Sequence, residues 1–463
     1  MARPASALWT FSTWVNNMSR QPNIVFFFSD QQRWDTCGCY GQPLPVTPNL
    51  DQMAAEGVRF ENAFTCQPVC GPARACLQAG KYATEIGCFR NGIALPLDAV
   101  TVPRLLRGAG YEVGYIGKWH LASTNRMGDA DIDFRETPVP PERRGGYDDY
   151  WIASDVLEFT SHSYDGGMFD ADGSFREFTG YRADSQTDFV LEYLETRDGE
   201  KPFFLFLSYI EPHHQNDHNC YEGPHGSKEQ FADYVVPEDL AGKGGDWREN
   251  YPDYLGCCHS LDANLGRVRA KLDELGMADD TVIIYTSDHG SHFRTRNSEY
   301  KRACHEGCIR VPMVVQGPGF RGGQVIDRIA SLIDLPQTML AVGGAEAPDG
   351  WQGRPLQEAL AETSDWPEEA FIQISESQVG RAIRTARWKY SVVAPGSRGG
   401  NDAGASRYVE EFLYDLEADP FEANNLVADP ALEAIRADLR KRLIARMVMA
   451  GETAPEIVPA TTD

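Results

Sequence analysis

Residues 23–30 read NIVFFFSD, a run of five apolar side chains ending in serine and aspartate. A run this short, apolar on both alternating faces, fits a strand buried on both sides rather than an amphipathic helix. The same pattern recurs in EVGYIGKWH (112–120), PFFLFLSYIEPHH (202–214), TVIIYTSDHG (281–290) and VPMVVQGPG (311–319). Helical patterns lie between them, including PNLDQMAAEGVRF, TVPRLLRGAG, RADSQTDFVLEYLETR and YLGCCHSLDANLGRVRAKLDELG. Strands alternating with helices predict an α/β fold, a large, mostly parallel sheet sandwiched by helices. After about residue 360 the texture changes. FIQISESQ, GRAIRTARWKYSVV and EEFLYDLEAD read as short antiparallel strands, followed by an amphipathic helix in PALEAIRADLRKRLIARMVMAG. The expected organisation is therefore an amino-terminal extension over 1–20, a catalytic domain over 21–360 and a smaller α+β subdomain over 361–463. Residues 130–180 and 215–250 are polar, rich in glycine and aromatics, and read as long loops over the functional face.

Charge restricts the partners. With 43 basic and 68 acidic residues the net charge is −25, which repels nucleic acid and anionic membranes while leaving room for a locally cationic cleft. No apolar run approaches the roughly 20 residues that cross a bilayer. The first 25 residues carry no compact apolar stretch of the kind found in signal peptides, and Met18 offers an alternative start. The 11 cysteines are odd in number, include the adjacent pair Cys257–Cys258 and form no C-x-x-C pair. These features predict a reducing, cytoplasmic location, with export to a periplasm left open.

Four of the five strands end in ionisable side chains: Ser29-Asp30-Gln31, Lys118-Trp119-His120, Glu211-Pro212-His213-His214 and Ser287-Asp288-His289. Taken singly, each has an ordinary structural use, Asp30 as a helix cap or Lys118 as a surface charge. Together they mark one place, because ligands in open α/β sheets bind beyond the carboxyl ends of the strands. Asp30, Gln31, Asp288 and His289 make a donor set for a divalent cation such as Ca²⁺, Mg²⁺ or Mn²⁺. Arg74, Lys118, His120 and His213 add fixed positive charge and proton-transfer groups, the surroundings an oxyanion transfer requires. Two further motifs read as structural. GPGFRG (317–322) matches G-x-G-x-x-G, but Pro318 removes a backbone N–H where phosphate would sit. CHEGC (304–308) has no second Cys/His pair at zinc-ligand spacing.

CQPVCGPARACLQAGKY (66–82) packs three cysteines, two prolines and one arginine between a plausible strand and a plausible helix. CGPAR, residues 70–74, fits C-x-P-x-R, and LQAGKY continues it as L-x-x-G-[RK]-Y. On these residues the chain resembles the type I sulfatases of the alkaline phosphatase-like superfamily. The resemblance extends over nearly the whole chain, through the Asp30 strand, the GKWH element at 117–120, SDHG at 287–290 and HEGCIRVPMVVQGPG.

The resemblance implies a fold, a modification and a set of roles. In this family the signature cysteine is oxidised by a formylglycine-generating enzyme, here a partner acting on Cys70, and the aldehyde hydrates to a diol that attacks sulfur. Asp30, Gln31, Asp288 and His289 would hold one cation, Ca²⁺ first and Mn²⁺ second, with an oxygen of modified Cys70. Arg74 would orient the diol, His120 shuttle its proton, and Lys118 and Lys301 bind sulfate oxygens. His213 would protonate the leaving group, with His214 as its alternate. The implied reaction is hydrolysis of a sulfated carbohydrate or small organic sulfate. Gln31 and His289 depart from the Asp-Asp and Asp-Asn pairs of many relatives and keep phosphonate monoester or phosphodiester hydrolysis as a second reading. A sulfated-glycan binder with unmodified Cys70 is the third. Arg90, Asn91, Arg294, Arg296 and Glu299 are candidate substrate contacts outside the site set.

Overall fold

A computed structural model describes residues 21–124, 132–361 and 365–460; the expected extension over 1–20 lies outside the described residues. The large sheet contains β1 (Asn23–Ser29), β2 (Val58–Phe64), β3 (Glu112–Lys118), β4 (Tyr150–Ser154), β5 (Gly167–Asp170), β6 (Phe175–Glu177), β7 (Phe203–Ser208), β8 (Thr281–Ser287), β9 (Met313–Gln316) and β10 (Gln324–Ser331). Their order is β10-β2-β9-β8-β1-β7-β3-β4-β5-β6. The five central strands, β8-β1-β7-β3-β4, all run parallel. Helices flank this core on both faces. On one side Phe26 and Phe28 join an apolar cluster, and on the other Val25 and Phe27 join a second. That two-sided burial is why β1 is apolar without alternation.

Three expectations change. The helix expected over PNLDQMAAEGVRF ends at Glu56, as helix α1 (Pro48–Glu56), and the chain enters β2. Gly57 makes the break: a Cβ there would lie 2.4 Å from the carbonyl oxygen of Val315. The strand expected in 311–319 is the four-residue β9, antiparallel to both β8 and β2. Residues 288–312 stay at the carboxyl edge instead of crossing the sheet, so the chain re-enters from that edge running down. The region 130–180, read as loops, contributes β4, β5 and β6, five, four and three residues long, too short for periodicity to register.

A second sheet follows, β11 (Glu369–Ile374), β12 (Gly380–Thr385), β13 (Trp388–Val393), β14 (Arg407–Asp415) and β15 (Glu456–Val458). It is antiparallel except for the β14–β15 pair. A helix over Glu433–Met449 buries Leu439, Leu443 and Met447 in the apolar cluster that also holds Phe26 and Phe28. Gly317 and Phe320, within GPGFRG, close a tight turn, and His305 of CHEGC meets Tyr414 Oη at 3.2 Å. Among the described residues no helix is long and apolar enough to cross a membrane.

Candidate active site

Strand register brings the expected groups together. Ser29 pairs with Ser287, so the next residues, Asp30 and Asp288, leave the sheet side by side. Gln31 takes a left-handed φ of 71°, and its N–H donates to Asp288 Oδ1 at 2.9 Å. His120, φ 61°, donates its N–H to Asp155 O at 2.6 Å. Such backbone costs about 1–3 kcal/mol at a non-glycine residue and persists where surrounding bonds hold it. In both cases it turns the chain sharply over the carboxyl edge. Gly117, φ 115°, is required for the approach of β3 to β7, since a Cβ would lie 1.9 Å from Ser208 O.

Cys70 is the first residue of helix α2 (Cys70–Ala79). Every residue of α2 is buried. The thiol donates to Asp30 Oδ1 at 3.3 Å, meets His289 Nε2 at 3.3 Å and accepts from Lys301 Nζ at 2.9 Å. Lys118 Nζ donates to Asp30 Oδ2 at 2.7 Å, and Arg74 Nη2 donates to the same oxygen at 3.0 Å. Arg74 Nη1 is held by Lys118 O and Ser208 Oγ. Lys301 Nζ also lies 3.1 Å from His213 Nε2. The alternate, His214, is turned away, its Nε2 on Tyr300 Oη at 2.8 Å and its ring packed against Tyr221 and Tyr300.

The electrostatics are those of a site built around charge. Burial alone would raise the Cys70 thiol, but Lys118, Lys301 and His289 hold it well below its ordinary value. Burial and the neighbouring thiol oppose ionisation of Asp30, yet Lys118, His213 and Lys301 keep it well below the carboxylate range. Asp288 goes the other way, pushed up to about 7 by burial and then by the charge of Asp30. Burial, then Lys301 and Lys118, lower His213.

The donors suit a divalent cation. Ligand atoms of Asp30, Cys70, Asp288 and His289 all lie within 4.8 Å of one another and are buried. Individual separations of 3.3, 3.5 and 3.8 Å resemble the roughly 3.3 Å edge expected between adjacent ligands about 2.3 Å from an ion. Asp288 Oδ2 and Gln31 Oε1 are buried without hydrogen-bond partners. The Gln31 amide is oriented by donating Nε2 to Tyr221 Oη at 2.5 Å. His289 Nδ1 faces Gly290 O at 2.9 Å, which leaves Nε2 for coordination.

The cleft above these groups has a volume of about 430 Å³ and is lined by Gln31, Cys70, Lys118, His120, His213 and Lys301. Sequence reasoning missed Glu158, Asn216 and Arg302, which line the same cleft. Asn216 Nδ2 donates to both carboxylate oxygens of Glu158, and Glu158 Oε2 lies 3.7 Å from His213 Nδ1. Recognising β4 as a strand would have pointed to Glu158, four residues past its end. Of the outlying candidates, Asn91 and Glu299 line the cleft, while Arg296 holds the carbonyls of Phe421 and Glu422 and Arg294 faces Asp246.

Comparisons with known proteins agree on the family. The Sulfatase family model matches residues 22–345, and the model for the carboxy-terminal part of N-sulphoglucosamine sulphohydrolase matches residues 298–448. The chain is similar to an ulvan-active sulfatase of Formosa agariphila, 28% identical over 93% of this chain and 82% of that protein. It is also similar to an N-acetylglucosamine-6-O-sulfatase of Bacteroides thetaiotaomicron, 27% identical over 88% of this chain and 83% of that one. Among solved structures, the phosphonate monoester hydrolase of Agrobacterium radiobacter shares the fold with a TM-score of 0.70, 22% identity and coverage of 93% and 96%.

Proposed function

The chain belongs to the sulfatase family of the alkaline phosphatase-like superfamily and is a sulfatase, and from that premise we propose that its substrate is a sulfated saccharide, cleaved with residue 70 as formylglycine and one divalent cation bound. The observation that carries the proposal is the convergence of Lys301 Nζ and His213 on residue 70, beside a buried set of cation donors. The two relatives, named for ulvan and for an N-acetylglucosamine 6-O-sulfate, support a saccharide substrate.

Asp30, Gln31, Asp288, His289 and an oxygen of modified residue 70 would hold the cation, with Ca²⁺ expected first and Mn²⁺ second because of the imidazole donor. When bound, it supplies Lewis-acid stabilisation to oxyanions at this edge of the sheet. Formylglycine, generated from Cys70 by a modifying enzyme, supplies a hydrated aldehyde as nucleophile. The remaining work belongs to the chain. Lys118 and Lys301 neutralise charge on the sulfate oxygens, and Arg74 fixes residue 70 and Asp30 relative to each other. His120 takes a proton from residue 70. His213 is shared between Lys301 and the cleft, and it returns a proton to the leaving oxygen. A cytoplasmic location is part of this reading, supported by the cysteine pattern.

The test is a mass spectrum of the tryptic peptide from Phe60 to Arg74 after thiol alkylation, with Cys66 as internal control. Residue 70 should escape alkylation and carry the mass of an aldehyde or its hydrate; full alkylation of both cysteines would refute the nucleophile. A donor set of only two carboxylates, Asp30 and Asp288, favours one rival, a phosphonate or phosphodiester hydrolase. Turnover of an aryl sulfate against an aryl phosphonate ester separates the two.

A further inference from the structure

A second cluster of metal-ligating side chains lies outside the catalytic centre, where the segment after β4 meets the segment after β7. His162 belongs to the first, and Asp217 and His218 to the second. Their ligand atoms lie within 4.8 Å of one another. His162 Nε2 is 2.9 Å from Asp217 Oδ2, and His218 Nε2 is 3.9 Å from the same oxygen. These separations straddle the roughly 3.3 Å between ligands of a tetrahedral ion with bonds of about 2.0–2.1 Å.

What distinguishes this cluster from a chance meeting of surface charges is its outer set of contacts. His162 Nδ1 meets Asp165 Oδ1 at 3.0 Å, and His218 Nδ1 meets Glu222 Oε1 at 2.5 Å. Both imidazoles thus have Nδ1 committed to a carboxylate and Nε2 turned toward one oxygen, the arrangement metal-binding histidines adopt. The carboxylates are themselves oriented. Gln215 Nε2 donates to Asp217 Oδ1 at 2.7 Å, and Ser163 Oγ donates to Glu222 Oε2. His162 thus faces a carboxylate at each ring nitrogen, Asp165 at Nδ1 and Asp217 at Nε2.

We propose that His162, Asp217 and His218 form a zinc site, completed by water, that clips together the two segments walling the active-site cleft. Two imidazoles and one carboxylate are borderline donors, the set zinc prefers over calcium or magnesium. The rings now stack at 4.4 Å and 9°, so closing on an ion requires them to tilt, which their exposure permits. The position gives the clip a consequence. Four residues before His162 is Glu158, one before Asp217 is Asn216, and their hydrogen bonds span the same two segments inside the cleft. Zinc would hold Glu158 beside His213 by holding the segments that carry them. This reading does not depend on the chemistry at residue 70.

The experiment is calorimetric titration of ZnCl₂ into the full-length protein, freed of zinc and kept in saturating CaCl₂ so that the catalytic centre is filled. Wild type should take up one zinc. The double variant His162→Ala/His218→Ala should lose that equivalent, weakening it by at least about 100-fold, and Asp165→Asn should weaken it roughly tenfold. Cobalt in place of zinc should give the visible absorption of a tetrahedral ion in wild type and not in the double variant. Equal zinc uptake by wild type and double variant, or none by wild type, would overturn the proposal. Should the double variant fold poorly, the Asp165→Asn titration and the wild-type cobalt spectrum decide.

Discussion

Asp288→Asn should stabilise the cation-free protein at alkaline pH, although it removes a proposed metal ligand. The Asp288 carboxyl is held at about 7 in the folded chain, against an ordinary 3.8, because it is buried and faces Asp30. A folded-state value above the unfolded one means that the folded chain binds this proton more tightly. The group's contribution is therefore complete below pH 3.8 and is lost as the pH rises to about 7. A gap of about three pH units, at about 1.4 kcal/mol each, makes the loss roughly 4 kcal/mol. Asparagine keeps the oxygen that accepts from the N–H groups of Gln31 and His289 and carries no charge to desolvate.

At about 2.1 cal/mol/K per residue, a 463-residue chain has an unfolding entropy near 1 kcal/mol/K, so roughly 4 kcal/mol corresponds to about 4 °C in Tm. Differential scanning calorimetry in EDTA should place Asp288→Asn above wild type by up to about 4 °C at pH 8 and by less than about 2 °C at pH 5. Saturating CaCl₂ should close the gap, because a ligand at a thousand times its Kd adds about 4 kcal/mol to the form that binds it, matching the roughly 4 kcal/mol deficit of wild type. Burial and Asp30 rank ahead of Cys70 as causes, so the ordering holds whichever form residue 70 takes. A variant that melts below wild type in EDTA at pH 8, or a difference independent of pH, would refute the picture of an Asp288 carboxylate opposed by burial and by the charge of Asp30.

Three other perturbations test neighbouring parts of the molecule. Gln31→Glu places a charge on the unpartnered Oε1 side of the cation pocket and should tighten Ca²⁺ by about tenfold in a calorimetric titration. Lys389 Nζ is buried between Glu306 and Glu422, with Glu422 Oε1 at 2.5 Å; Lys389→Met takes the cation from Glu422 while Glu306 keeps Arg384, and should cost about 3–5 kcal/mol in urea unfolding. Gly117→Ala drives a methyl into Ser208 O and should displace Lys118, seen as a loss of folded yield together with sulfate-ester turnover in whatever remains soluble, at a cost on the order of 3 kcal/mol.

The separation between what the sequence revealed and what it hid follows the physics of strands and loops. Asp30, Lys118, His213 and Asp288 were legible because each follows a buried apolar run, and a parallel sheet sends every such run out of the same edge. Cys70 and Arg74 were legible from a short motif whose spacing places them on one helix turn. Lys301 lies in the long return from β8 to β9, with no periodicity to locate it, and only the family resemblance marked it. His213 and His214 are adjacent on a turn, and their roles part only in three dimensions, one meeting Lys301 and the other packed between two tyrosines. Glu158 and Asn216 went unseen because β4 is five residues long and the segment after β7 takes its shape from its own hydrogen bonds. The same holds for His162 and His218, 56 positions apart and stacked ring on ring. Backbone pairing decides where a strand-end side chain starts, and a short apolar pattern encodes it. The direction of a loop side chain depends on partners scattered through the chain, among them Gln215, Ser163 and Tyr221. The proposed cation ligands Asp30 and Asp288, with Lys118, stand on the first kind of position, and Lys301 on the second. The cleft wall that meets the rest of a substrate stands on the second, so these loops, rather than the catalytic edge, are where the choice among sulfate esters must be measured.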